Sequence, residues 1–249
     1  RGLVTFLPKE TGYYATVEGI SGRFDLPEVH STGVVVSVNN KREDFLTVSI
    51  KSNEVGCEPY YLIAHTRGYV TYASQVTMTG TRGFSKISKE SLPEGITHIT
   101  LLNKGLQPVA ERLAFINAKK GLNVSITPNK TNLGPRELVT VGLKVTDTNG
   151  KPVKGSFSLS AFDPGLVQND QLDYNIRTHL LLNSDLKGQI KDPSQYFGED
   201  EDAKNNLDLL MMVNGWRRFE WSEIDQSKEN LYAIETGLSI EGKLMKKGG

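Results

Sequence analysis

Apolar and polar residues alternate along residues 3–163, and turn residues interrupt the alternation about every eight to twelve positions. Successive side chains of a strand point to opposite faces, so this period of two predicts strands that are buried on one face. The even spacing of the turns is typical of antiparallel sandwiches. The apolar sets expected to share a face are Val34, Val36 and Val38; Leu46, Val48 and Ile50; Leu62 and Ala64; Ile99 and Leu101; and Leu113 and Phe115.

The alternation breaks at residues 117–121, NAKKG, where small, charged and flexible residues predict a domain boundary. It restarts in three further sets, which are Leu122, Val124 and Ile126; Val139, Val141, Leu143 and Val145; and Phe157, Leu159 and Ala161. Between the last two sets lies DTNGKPV, residues 147–153. Asn149-Gly150 tolerates positive φ there, so this segment predicts a plain hairpin turn.

A helix is predicted in DYNIRTHLLLNSDLKG, where the period of two is lost. Asp173 is its expected N-cap, and Gly188 stands where a helix stop is expected. The apolar residues expected to anchor it are Ile176, Leu180 and Leu181.

A second helix is predicted after the acidic run GEDED, residues 198–202, because carboxylates oppose the dipole at a helix N-terminus. It is expected to end at Asn214-Gly215. Residues 207–213 are apolar on most of the helix circumference, which predicts burial on more than one face. The fold class expected from these patterns is mainly β, with two tandem antiparallel sandwiches and a small helical segment attached to the second.

Charge and composition narrow the function. The chain has 29 basic and 29 acidic residues among 249, so neither nucleic acid nor an anionic membrane surface is an expected partner. No apolar run approaches the roughly 18 residues that span a bilayer. The chain opens at Arg1-Gly2-Leu3 without a Met or a signal-like segment, so we expect a fragment whose signal peptide is missing.

No catalytic, cofactor-binding or metal-binding residue is predicted. The four histidines, His30, His65, His98 and His179, are dispersed without metal-ligand spacing, and no Gly-x-Ser-x-Gly nucleophile motif occurs. The acidic residues Glu199, Asp200, Glu201 and Asp202 lack the ligand spacing of a calcium loop. They favour a solvated helix start instead.

Five segments, taken in order along nearly the whole chain, carry a family resemblance: YYLIAHTRG, SLPEGITHITLLNKGLQPVAERLAFIN, VGLKVTDTNGKPVKGSFSLSAFDPGLV, LLLNSDLKGQIKDPSQYF and LDLLMMVNGWRRFEW. They resemble the macroglobulin-type domains of large cell-envelope proteins of Bacteroidetes, which stand upstream of carboxypeptidase-regulatory-like or TonB-receptor-like regions. The resemblance implies immunoglobulin-like sandwiches in a periplasmic or outer-membrane-associated protein. Its partners would be other domains of the same polypeptide or other envelope proteins.

The alternation with its break at residues 117–121, together with the resemblance, gives the expected domain bounds. Residues 1–30 look like the closing strands of a preceding macroglobulin-like domain. Residues 31–118 would form a seven-stranded sandwich and residues 119–235 a second one with two helices. Residues 236–249 would begin a following domain or a linker.

The wider alpha-macroglobulin family traps targets through a thioester between Cys and Gln in Gly-Cys-Gly-Glu-Gln. This chain has GCEP at residues 56–59, without the second Gly and the Gln, so Cys57 cannot form that thioester. The implied function is therefore a non-catalytic spacer or docking module.

A carbohydrate-binding module is the alternative function, because sandwiches can present aromatic residues to sugars and glycans would then be partners. The chain has nine Tyr and two Trp. Tyr60 and Tyr61 are adjacent in a predicted strand and must point to opposite faces, which weakens a shared sugar platform.

The stretch LDLLMMVNGWRRFEW, residues 207–221, combines apolar bulk with fixed charge. Gly215 lets the helix stop sharply, and Trp216, Phe219 and Trp221 are spaced to anchor the returning chain against the sandwich. Of Arg217 and Arg218, one is expected to pair with a carboxylate or helix-end carbonyls while the other faces solvent. We interpret the stretch as a structural clamp, with a partner-docking patch as the alternative.

Overall fold

The computed structural model of the chain describes residues 6, 8–9, 12–54, 59–117, 121–161, 165, 175–214 and 221. The chain divides into two compact units, Arg1–Arg218 and Phe219–Gly249. All elements given below belong to the first unit. In the second unit, only Trp221 lies within the described residues.

The fold is mainly β, as the alternation predicts, and all strand pairings in the described residues are antiparallel. The strands found there are β1 Tyr14–Val17, β2 Ile20–Asp25, β3 Val34–Asn39, β4 Phe45–Ser52, β5 Tyr60–Thr66, β6 Tyr69–Val76, β7 Met78–Thr79, β8 Arg82–Ser88, β9 Gly95–Leu102, β10 Pro108–Ile116, β11 Asn123–Pro128 and β12 Val141–Thr146.

Two four-stranded sheets form a sandwich between residues 34 and 116, with strand orders β3-β4-β8-β7 and β10-β9-β5-β6. Their facing side chains make one buried core, the inner core: Leu46, Val48, Ile50, Tyr60, Leu62, Ala64, Val76, Ile87, Leu92, Ile99, Leu101, Ala114 and Ile116. The predicted same-face sets of β4, β5 and β9 are therefore confirmed. Within its described residues the sandwich has eight strands where seven were predicted, because β7 adds a two-residue strand at the edge of one sheet.

Leu113 and Phe115 also share a face, as predicted, but it is the face of β10 that points away from the inner core. Both sides of this strand end are thus apolar, since Ala114 and Ile116 point inward. A strand buried on both faces needs a second layer over its outer side.

The second layer is the helical segment. Helix α1 spans Ile176–Thr178 and continues as a π-helical turn, His179–Asn183; a 3₁₀ helix spans Pro193–Phe197, and α2 spans Glu201–Val213. A second buried cluster, the outer cluster, joins this segment to β9 and β10: Ile96, Leu113, Phe115, Leu182, Leu186, Ile190, Tyr196, Leu210 and Met211. The segment expected to belong to the second sandwich thus packs on the first.

The N-terminal cap of α1 corrects the sequence prediction. Asn175 is the N-cap in place of Asp173, which lies outside the described residues, and its side chain accepts from the amides of Arg177 and Thr178. The π turn, closed by Ser184 N donating to His179 O at 2.8 Å, shifts the phase of the apolar residues. Leu182 is therefore fully buried, whereas Ile176 and Leu180 are exposed and only Leu181 of the predicted set packs against the outer cluster.

Helix α2 ends where the sequence predicts, but it begins at Glu201, within the acidic run and not after it. Asp200 is its N-cap and accepts from the Ala203 amide at 2.8 Å, with Glu201 and Asp202 in the first turn. The expected burial on more than one face is wrong. The buried residues are Ala203, Leu210 and Met211, which lie on one stripe, while Met212 and Val213 are exposed. One side of a helix suffices to cover β10. Leu207 lies half-buried against the outer cluster on that side.

Strands β11 and β12 form a two-stranded sheet after the predicted boundary. Val124 pairs with Val145 and Ile126 with Leu143 across it. The strand predicted from Phe157, Leu159 and Ala161 is not formed in the described residues 153–161, where these side chains are exposed. A strand requires a partner for its backbone groups, and alternation alone does not supply one.

The turn after β12 is the predicted hairpin turn. Gly150 has φ of +78°, and its amide donates to Asp147 O at 3.0 Å. The Asp147 carboxylate accepts from the amides of Asn149 and Lys151, each at 2.9 Å. Thr146 and Pro152 form a bridge across the turn.

Replacing Asp147 with Ala is expected to lower the free energy of unfolding of this hairpin by about 1 kcal/mol, because two exposed amide hydrogen bonds lose their acceptor. Amide hydrogen exchange at Asn149 and Lys151 measures the effect. Asp147→Asn is the matched control, since its amide oxygen still accepts. Equal loss of protection in both variants would contradict this account of the turn.

Candidate functional site

The predicted clamp lies mostly outside the described residues. The residues outside the described ranges are Gly215, Trp216, Arg217, Arg218 and Phe219, and also Cys57. Trp221 is described and is half-buried. The clamp, its docking alternative and the role of Cys57 therefore stay predictions.

Three ion pairs link the helical segment to the sandwich. Arg112 Nη2 lies 2.8 Å from Asp208 Oδ1, and Arg112 is nearly buried. Arg177 lies 3.1 Å from Glu94, and Arg67 lies 3.6 Å from Asp185. Each pair joins a strand or strand end to the helical segment, so ion pairs add to the apolar contacts of the outer cluster.

A cluster of ionisable side chains lies on the sheet β10-β9-β5-β6, on the side that faces away from the inner core. His65 is on β5 and its register partner His98 is on β9. Glu111 is on β10, opposite Thr100 of β9. Three adjacent strands thus bring together residues that are far apart in sequence. We call His65, His98, Thr100 and Glu111 the histidine cluster.

The distances within the histidine cluster are short. The rings of His65 and His98 stack with centroids 4.5 Å apart and an angle of 18° between their planes. His98 Nδ1 lies 3.4 Å from Glu111 Oε1. Thr100 Oγ1 donates to Glu111 Oε2 at 2.8 Å, which fixes the carboxylate with its other oxygen toward His98.

The histidine cluster is shielded from water. His65 and His98 are only 2% and 4% exposed, and Thr100 is fully buried. Burial, with a smaller effect of the neighbouring His98, lowers the pKa of His65 from 6.5 to about 4. His65 is therefore a neutral imidazole at pH 7.

The sequence does not reveal this cluster, because His98 follows His65 by 33 positions, Glu111 follows His98 by 13, and no local motif joins them. The sequence does indicate which face each histidine lies on, because His65 follows inward-facing Ala64 and His98 precedes inward-facing Ile99. Alternation therefore places both histidines on the outer face. Only the register of β5 against β9 makes them neighbours.

His30 and His179 are exposed, and Asp200 caps α2. Tyr60 is buried in the inner core, whereas Tyr61 is half-buried on the opposite face, so this pair does not form one platform.

Comparisons of the chain with protein-family models, with curated proteins and with solved structures find no match. Within the described residues, no helix is both long and apolar enough to cross a bilayer.

Proposed function

We propose that this chain is a non-catalytic structural and interaction module of a multidomain bacterial cell-envelope protein, in which it acts as a spacer or docking element. The sequence resemblance to macroglobulin-type domains suggests the periplasmic or outer-membrane setting. The structural support is the contact between the sandwich and the helical segment, which consists of buried apolar side chains and ion pairs.

The observation that carries the proposal is the outer cluster with its ion pairs. Arg112 and Asp208 are 96 positions apart in sequence, and Arg67 donates to the Leu180 carbonyl 113 positions away. Contacts between such distant segments hold them in one orientation, and buried apolar side chains between them resist bending because interiors are close-packed. A spacer needs this stiffness to transmit a fixed distance between its neighbours.

The stiffness is testable by pulsed electron spin resonance on pairs of spin labels. In a Cys57→Ser background, labels at Val35→Cys and Asn206→Cys would report the sandwich relative to α2. Both positions are exposed. We expect a distance distribution as narrow as that of the control pair Val35→Cys and Tyr69→Cys, which lies within the sandwich.

A broad or bimodal distribution for the Val35–Asn206 pair, with a narrow control, would contradict the spacer role. Turnover by the purified chain in a broad hydrolase screen would contradict the non-catalytic part. Glycan-array binding that disappears on substitution of an exposed aromatic residue such as Tyr69 would favour the carbohydrate-binding alternative.

A further inference from the structure

We propose that His65, His98 and Glu111 form a binding site for a divalent transition metal ion such as Zn²⁺. The ligand atoms that these three side chains offer all lie within 4.8 Å of one another. Two imidazoles and one carboxylate are a donor set that zinc accepts in proteins. The site is independent of the spacer role.

The pair His98 and Glu111 already has the spacing of two ligands. Zinc bonds to nitrogen and oxygen are about 2.0–2.2 Å long, so neighbouring ligand atoms of a tetrahedral site are about 3.3–3.5 Å apart. His98 Nδ1 and Glu111 Oε1 are 3.4 Å apart. These two atoms can therefore bind one ion without a change of strand positions.

His65 completes the set by a rotation of its ring. Its plane now lies nearly parallel to that of His98, at an angle of 18°, and lone pairs of parallel rings do not converge on one point. A change in the side-chain torsions of His65 directs a ring nitrogen toward the other two ligands. Metal binding is thus expected to break the stacking.

The surroundings hold the other ligands in place. Thr100 donates to Glu111 Oε2, which leaves Oε1 for the ion, and partners of this kind orient metal-binding carboxylates. His98 and Thr100 lie on β9, which has a hydrogen-bonded strand on each side, so the backbone under the site is rigid.

The donor set also selects the kind of ion. Calcium and magnesium prefer six or more oxygen ligands, whereas imidazole suits Zn²⁺, Co²⁺, Ni²⁺ and Cu²⁺. The described residues supply three ligand side chains, so water is the expected fourth donor.

Isothermal titration of the chelator-treated chain with Zn²⁺ tests the site. We expect binding of one equivalent, and Co²⁺ should give the visible absorption of a four-coordinate ion. Thr100→Val, which keeps the side-chain volume but not the donor, should weaken Zn²⁺ binding about 10–100-fold. Glu111→Gln, which keeps the shape of the side chain but removes the anionic ligand, should weaken it at least as much.

The matched control is His179→Gln, which removes an exposed histidine and should bind Zn²⁺ like the parent. Circular dichroism of the metal-free variants shows whether each is folded. If Glu111→Gln or Thr100→Val does not fold, X-ray absorption of the zinc-loaded parent still decides, since two imidazole ligands are expected. Absence of stoichiometric binding by the parent, unchanged affinity in folded Glu111→Gln, or loss of binding in His179→Gln would overturn the proposal.

Discussion

Met211→Ala is expected to lower the free energy of unfolding by about 2–5 kcal/mol, whereas Met212→Ala should change it by less than about 1 kcal/mol. The two residues are adjacent on α2 and chemically identical. Met211 is 1% exposed within the outer cluster, while Met212 is 37% exposed. Truncating Met211 removes buried apolar contacts and leaves a cavity over β10; truncating Met212 removes contacts that water largely replaces.

Urea denaturation of the two variants and the parent measures this difference. Met211→Ala should also broaden the distance distribution between labels at positions 35 and 206, because the outer cluster sets the orientation of α2. Similar stabilities for both variants would show that α2 is not held on the sandwich by this side. The spacer role proposed from the contact between α2 and the sandwich would then lose its support.

Leu101→Ala is also expected to lower the free energy of unfolding by about 2–5 kcal/mol, because it leaves a cavity in the inner core. Leu101 is fully buried on β9, between the two sheets, so the cavity would lie where both sheets meet. We expect loss of strand structure and helical structure together, since β9 is a central strand and also carries the outer cluster residue Ile96.

Thermal unfolding followed by circular dichroism tests this expectation, with Val35→Ala as control. Val35 is 61% exposed on β3, so its truncation should shift the midpoint little. An unchanged midpoint for Leu101→Ala, or a midpoint lowered equally by Val35→Ala, would contradict the assignment of the inner core.

The sandwich could be predicted because its strands are local patterns. Leu46, Val48 and Ile50 alternate with polar residues, and burial of one face follows directly from the period of two. The approximate start of α2 was predictable for the same reason, because the acidic run that provides its cap and first turn is a local pattern.

The histidine cluster and the position of the helical segment could not be predicted, because both depend on pairings between distant residues. Nothing near His65 shows that His98 will be its neighbour. Leu113 and Phe115 show that β10 has an apolar outer face, but not which segment covers it. The π turn at His179–Asn183 is a local irregularity that shifts the apolar phase of the helix. Leu182 is therefore buried, whereas Leu180, which was predicted to be buried, is exposed.

The long sequence separation across the outer cluster has a consequence for synthesis of the chain. Asp208 is 96 positions after its partner Arg112, and Leu210 and Met211 follow it. At about 5–20 residues per second, β10 emerges from the ribosome roughly 5–20 s before α2. During that interval Leu113 and Phe115 are an uncovered apolar surface on a nascent sandwich. Chaperone binding to the nascent chain is thus expected to begin with β10 and to end when α2 docks.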